Sequence, residues 1–169
     1  DQEPSDSGVW LLLKEQSILT LTGVDGPELP SGGIPINTHD ARSLYIGTWQ
    51  GRPCRLLIVK DSDEIGIPIE SHSLHSVDPK IPISMLSLAG VGLMIKHWED
   101  SSQFCGYCGS KLNRLVKEWG KNCRACGNHH FPRIHPCSIG LVIKGDEILL
   151  VRKPEWVEGR FGLVAGFVE

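Results

Sequence analysis

Two Cys-x-x-Cys pairs carry the plainest chemistry in the sequence: Cys105-Gly106-Tyr107-Cys108 and Cys123-Arg124-Ala125-Cys126, with fourteen residues between them. Each tight pair can turn two thiolates toward one ion, and two pairs complete the tetrahedral four-sulfur shell that Zn²⁺ favours. The interval is one residue short of the usual range for such ribbons, about 15–20. Gly109 and Gly127 each follow the second cysteine of a pair, where left-handed backbone lets N–H groups face the sulfurs. A closed shell of four thiolates has no open position for substrate, so the expected zinc serves folding and the chemistry must lie elsewhere. Three other uses of these cysteines stay open. A redox pair is expected once, beside a strand–helix unit. Disulfides go with a secretion signal or a cysteine-dense scaffold, and neither is evident. An iron centre fits the same spacing.

The remaining reactive residues read as structural. Cys54 sits alone in an apolar strand and is expected to be a buried small hydrophobe. His72 and His75 fall in the polar stretch Asp61–Pro79, expected to be exposed loop. His129 and His130 follow Cys126 closely enough to replace a ligand, but four thiolates already fill the shell. The net charge of −3 conceals an asymmetry. Residues 1–104 hold seven Lys/Arg against fourteen Asp/Glu, whereas Lys111, Arg114, Lys117, Lys121, Arg124 and Arg133 in residues 105–135 face Glu118 alone. A basic ribbon beside an acidic domain could attract phosphates, or simply solvate a small module that is mostly surface.

The elements that must position these residues follow from patterning. Val9–Leu13 and Ile18–Leu21 predict a hairpin, and Leu44–Trp49 with Cys54–Lys60 a second one around Gln50-Gly51-Arg52-Pro53. Thr22–Asn37, punctuated by glycine and proline, predicts loop. Ser84–Asp100 predicts a helix with Ser84 as N-cap. Its broad apolar coverage implies burial on more than one side, against the N-terminal sheet and a second subunit, with Gly90 and Gly92 permitting close approach of another backbone. Lys111–Val116 and Glu118–Asn122 suit strands of the ribbon. Beyond it, Ser138–Lys144 predicts a continuous strand, Gly145-Asp146 a turn, Ile148–Arg152 its partner, and Phe161–Phe167 a third strand. These strands form an unfinished sheet with no following helix to cover a face.

An apolar fraction of 40% and five tryptophans indicate a globular protein with a real core. No apolar run approaches the roughly 20 residues of a membrane span. Metal-bound thiolates favour a reducing, cytoplasmic compartment. The expected fold class is α+β: a mixed β/α domain over 1–102, a zinc ribbon over 103–135, and the first strands of a further domain over 136–169, which the resemblance described next implies is α/β/α.

Several of these residues together resemble one family. A ribbon opening Cys-Gly-Tyr-Cys-Gly, the Glu118-Trp119 pair, Phe131-Pro132 five residues past the last ribbon cysteine, and a hairpin leading into Ala165-Gly166-Phe167-Val168-Glu169 are similar to the NADH pyrophosphatases of the Nudix hydrolase superfamily. Weaker similarity runs through Ile46–Gly51 and Leu88-Ala89-Gly90. The specific part is residues 105–169.

The resemblance implies an N-terminal Nudix-like domain, the ribbon and a Nudix domain, assembled as a homodimer without membrane attachment. It implies cleavage of NAD(H) to NMN(H) and AMP and, in some members, removal of NAD caps from RNA. Gly166 matches the first glycine of the Nudix signature, so the signature glutamates that bind catalytic Mg²⁺ or Mn²⁺ would lie beyond Glu169, and no catalytic residue is expected within these 169. The fragment alone is then expected to be inactive. Within the chain, the resemblance assigns the Ala165 backbone carbonyl to the divalent cation. It assigns Phe131 and Phe167 to stacking on the nicotinamide nucleotide, Ile139 to an apolar wall and Glu118 to a polar contact. Arg133 suits a phosphate partner by charge, and equally a core-facing or a solvated position. Two other functions compete: a zinc-ribbon module that binds nucleic acid and dimerises without catalysis, and a relative acting on another dinucleotide such as ADP-ribose.

Overall fold

The Val9–Leu13 run becomes the centre of β1 (Gly8–Lys14), buried on both faces. That is why it reads as continuous rather than alternating. The computed structural model describes residues 8–37, 43–115 and 118–168. Around β1 stand β2 (Ser17–Gly23), β3 (Gly26–Glu28), β4 (Ser31–Gly32), β5 (Ile36–Asn37), β6 (Ser43–Trp49), β7 (Arg52–Ile58), β8 (Glu64–Ile65) and β9 (Glu70–Ser73). The main sheet runs β3-β2-β1-β7-β6, with β4 added to β1 and β9 to β2. β1 and β7 are parallel, and the other pairs are antiparallel.

Both predicted hairpins form. Gln50 and Gly51 both take positive φ (50° and 76°), the signature of a two-residue loop. The second hairpin is therefore tighter than expected, and Pro53 lies within β7 opposite Thr48. Two stretches expected to be irregular contribute strands. Thr22–Asn37 supplies β3, β4 and β5. Asp61–Pro79 supplies β8 and β9, where His72 pairs with Ile18 and its Nε2 sits 3.0 Å from the buried Thr20 hydroxyl. His72 is thus a half-buried strand residue, not loop; backbone pairing overrides a polar composition.

Helix α1 (Ile83–Ser101) covers one face of the sheet. It starts one residue before Ser84, so Ser84 lies inside it, and Pro82 precedes it without a side-chain cap. Val9, Leu11, Leu13 and Leu56 pack toward Met85 and Ala89, while Trp10, Leu12 and Leu57 point to the opposite face with Leu19 and Val59. A Cβ on Gly92 would lie 2.6 Å from Leu11 Cδ2 and 3.1 Å from Leu13 Cδ1. The glycine seats the helix on leucine side chains of the sheet, not on another backbone; nothing lies within 4 Å of a Cβ on Gly90. Burial is one-sided in the single chain: Ile83, Val91 and Met94 on the outer face are exposed. Cys54 is buried as expected, and burial raises its thiol to about 11.

The ribbon follows as β10 (Leu112–Arg114), β11 (Lys121–Cys123) and β12 (His129–His130), one antiparallel sheet. Its strands are shorter than the sequence suggested, and Val116 lies outside the described residues. The chain divides into two compact units between His130 and Phe131, the ribbon clustering with the N-terminal part. In the second unit, β13 (Cys137–Gly140) pairs with β16 (Val164–Phe167), and β14 (Ile143–Lys144) pairs with β15 (Glu147–Ile148) across Gly145-Asp146. The expected continuous strand Ser138–Lys144 is therefore divided at Leu141-Val142. Val151 bridges Gly162 instead of extending the hairpin.

Candidate metal centre and substrate face

The two Cys-x-x-Cys loops repeat one backbone pattern. Gly109 N–H donates to Cys105 O and Gly127 N–H to Cys123 O, each at 2.8 Å. Cys105 N–H donates to Ser110 O and Cys123 N–H to Asn128 O, again at 2.8 Å. Gly109 and Gly127 have φ of 72° and 76°, which side chains rarely tolerate. The loops bring Cys105 Sγ to 3.7 Å from Cys126 Sγ and Cys108 Sγ to 3.4 Å from Cys123 Sγ, with all four sulfurs within 4.8 Å of one another. Four sulfurs about 2.3 Å from a zinc ion lie roughly 3.8 Å apart, so the cage has the size of a structural zinc site.

Electrostatics agree. The Ser110 backbone hydrogen bond, with help from its hydroxyl and the neighbouring thiols, pulls the Cys108 thiol down to about 6. At Cys126 the Asn128 backbone bond acts downward too, but burial and the neighbouring thiols push it up to about 12. Cys108 ionises readily while Cys126 resists. A divalent cation removes that conflict, and its binding releases protons. His130 Nε2 stands 3.4 Å from Cys105 Sγ, a contact to the sulfur from outside the four-thiol set.

A second cluster fixes the ribbon to α1, and sequence reasoning missed it. Lys121 and Glu99 are buried, with Lys121 Nζ 3.0 Å from Glu99 Oε2. The ammonium also donates to Ser102 O at 3.0 Å, Ser102 Oγ at 2.9 Å and Glu99 O at 3.3 Å, and lies 4.8 Å from the Trp98 ring centroid. Arg114 Nε is 3.2 Å from Glu99 Oε1, and its guanidinium lies 4.9 Å from the Trp119 centroid. Trp98 and Trp119 meet edge-on at 6.1 Å. Lys121 and Arg114, read as part of a basic surface, are thus tied up in folding. The available signal was the alternation that puts Lys121 on the same strand face as the buried Cys123.

The residues assigned to substrate by resemblance are distributed over both units. Glu118 is exposed, and its carbonyl accepts from Gly120 N–H at 2.9 Å. Phe131 opens the second unit and is 49% exposed. The β13–β16 register sets Ile139 opposite Ala165 and Cys137 opposite Phe167. Paired residues of antiparallel strands share a face, and the face alternates along each strand. Ile139, Ala165, Phe167 and Cys137 therefore stand on one face, with Ile139 and Phe167 67% and 78% exposed. Arg133 is exposed. Among the described residues, the four cysteines are the one group of three or more His, Cys, Asp or Glu placed to hold a metal.

Comparison with known proteins matches both regions. Residues 7–98 match the NADH pyrophosphatase-like rudimentary NUDIX domain, and residues 100–131 the NADH pyrophosphatase zinc ribbon domain. Curated relatives include proteins named NAD-capped RNA hydrolase NudC. That from Salmonella typhi is 32% identical over 168 residues, and those from Klebsiella pneumoniae (strain 342) and Escherichia coli O1:K1 / APEC are each 31% identical over 168. Each alignment covers 99% of this chain and 61% of the relative, so the chain spans about three-fifths of their length. No helix among the described residues is long and apolar enough to cross a membrane. With a rudimentary NUDIX domain, a matching ribbon and a four-thiolate cage in sequence, the chain belongs to the NADH pyrophosphatase family of Nudix proteins.

Proposed function

We propose that the protein to which this chain belongs is a Nudix hydrolase that splits the pyrophosphate of NAD(H) into NMN(H) and AMP and removes NAD caps from RNA. The observation that carries the reading is the β13–β16 pair, whose register gathers Ile139, Ala165 and Phe167 on one exposed face. An aromatic ring and an aliphatic wall on one face suit a flat nicotinamide, with Phe131 of the same unit as a second ring. Bound Mg²⁺ or Mn²⁺ would neutralise the phosphate oxygens and help generate hydroxide. Such ions need several hard oxygen ligands, and Ala165 offers one carbonyl. This chain's own part is to hold the nucleotide and to build the scaffold. The exposed outer face of α1, with Ile83, Val91 and Met94, supports a homodimer, and a four-thiolate zinc site supports a cytoplasmic setting.

The test is hydrolysis of NADH by the parent protein with Mg²⁺ or Mn²⁺, with NMNH and AMP separated by chromatography. Phe167→Ala and Phe131→Ala are expected to raise KM by about three- to tenfold. A parent protein that leaves NADH intact refutes the reading.

A further inference from the structure

We infer that the two zinc knuckles form a binding site for single-stranded RNA, holding the strand that follows the cap; the inference rests on the decapping reading above. Tyr107 immediately precedes Cys108 and Arg124 immediately follows Cys123, and the sulfurs of those two cysteines are 3.4 Å apart. The metal cage thereby holds together the two loops that carry Tyr107 and Arg124. At the base of the first loop, Phe104 and Lys111 form the closing antiparallel bridge, which places a second aromatic–cation pair on one face. Tyr107 is 80% exposed and Phe104 63%, and both cations are exposed. Lys121 and Arg114 neutralise Glu99 within the clamp, whereas Lys111 and Arg124 have no acidic partner among the described residues.

Exposed aromatic rings accompanied by exposed cations match single-stranded nucleic acid: bases stack on the rings and phosphates meet the charges. Apart from its cysteines and Tyr107, the first loop between Phe104 and Lys111 holds only Gly106, Gly109 and Ser110, so no aliphatic side chain joins the rings in an apolar core of the kind a protein interface builds. The knuckle backbone is already fixed by its paired hydrogen bonds, so little ordering cost attends binding.

The experiment uses the zinc-loaded parent protein and a 5′-labelled, uncapped single-stranded oligoribonucleotide, read by fluorescence anisotropy across a salt series. Tyr107→Ala is expected to weaken binding by about 5- to 100-fold. Lys111→Ala with Arg124→Ala is expected to flatten the slope of log K against log salt by about 1.4, the value for two phosphate contacts on a single strand. Zinc content and tryptophan emission, measured on each variant, report whether the ribbon still folds. The variants should hydrolyse free NADH, which has no RNA body, as the parent does, while KM for NAD-capped RNA rises. If NADH turnover is present and the triple variant Tyr107→Ala/Lys111→Ala/Arg124→Ala binds the oligonucleotide like the parent, the inference fails while the proposed hydrolase survives. If the substitutions instead change the oligomeric state and leave RNA affinity untouched, the patch is a protein contact and the inference also fails. Absence of NADH turnover in the parent would strike the hydrolase reading itself.

Discussion

Within residues 1–169 the two units differ in how much apolar surface they bury. In the first, β1 carries five consecutive apolar residues, each at 4% exposure or less, because sheet neighbours cover its edges and α1 and the opposite cluster cover its faces. In the second, Ile139, Leu141, Val142, Ile143, Ile148, Leu149 and Leu150 are all exposed. Here order comes from backbone pairing and from Trp156, whose ring lies against Gly162. A two-stranded ribbon is marginal in water without a packed face. The first unit adds a metal cage and a buried ion cluster where its core is thinnest.

The largest effect separating the units is expected from the metal. Structural zinc contributes on the order of 10 kcal/mol or more to folding of small modules. Chelation, or Cys123→Ser, is expected to unfold the ribbon and dissolve the Trp98–Trp119 contact, seen as loss of near-ultraviolet circular dichroism. Amide exchange in residues 131–168 should stay as it was. A ribbon that keeps its near-ultraviolet signal without metal would contradict the cage.

Next comes the clamp. Lys121→Ala removes the buried ammonium from Glu99 and is expected to cost about 3–5 kcal/mol by denaturant melt. Replacing Lys121 and Glu99 together by apolar residues of similar size should cost less than Lys121→Ala alone. If the single and double variants melt alike, the pairing carries no weight.

Core substitutions sharpen the contrast further. Leu11→Ala is expected to cost about 2–5 kcal/mol because it opens a cavity under Gly92. Leu149→Ala in the second unit should stay within about 0.5 kcal/mol. Equal costs would mean that the second unit owns a core after all.

Thiol chemistry gives the finest distinction. With zinc bound, the exposed Cys137 should react first with a chromogenic disulfide, the four ribbon cysteines only after chelation, and Cys54 only on unfolding. Because burial raises Cys54 to about 11, the folded protein holds that proton more tightly than the unfolded chain. Its contribution is therefore complete below the ordinary thiol range and is lost as pH rises toward 11, by roughly 2–3 kcal/mol. Early reaction of Cys54 in native protein would remove the basis for that pH dependence.

Much of this was legible in local sequence. The knuckles declare themselves because glycine at 109 and 127 and cysteine at fixed offsets are demanded by a geometry spanning only a few residues. β1, β2, β6, β7 and α1 were readable from apolar runs long enough to choose a period. The short strands β3, β4, β5, β8 and β9 were not, since two to four polar or glycine-rich residues have no periodicity, and a neighbour's backbone decides their state. The helix start also misled, because proline fixed the entry where serine was expected to cap it.

By itself the sequence determined the metal cage, the central strands, the helix and, through its motifs, the family. Those rest on residue types acting over a few positions. Tertiary structure alone decided which cations are surface and which are internal, since Lys111 and Lys121 are chemically identical until Glu99 is brought to one of them. It also decided which face of β13 and β16 gathers Ile139, Ala165 and Phe167, because register between strands 24 residues or more apart is set by pairing in space and not by neighbours in the chain.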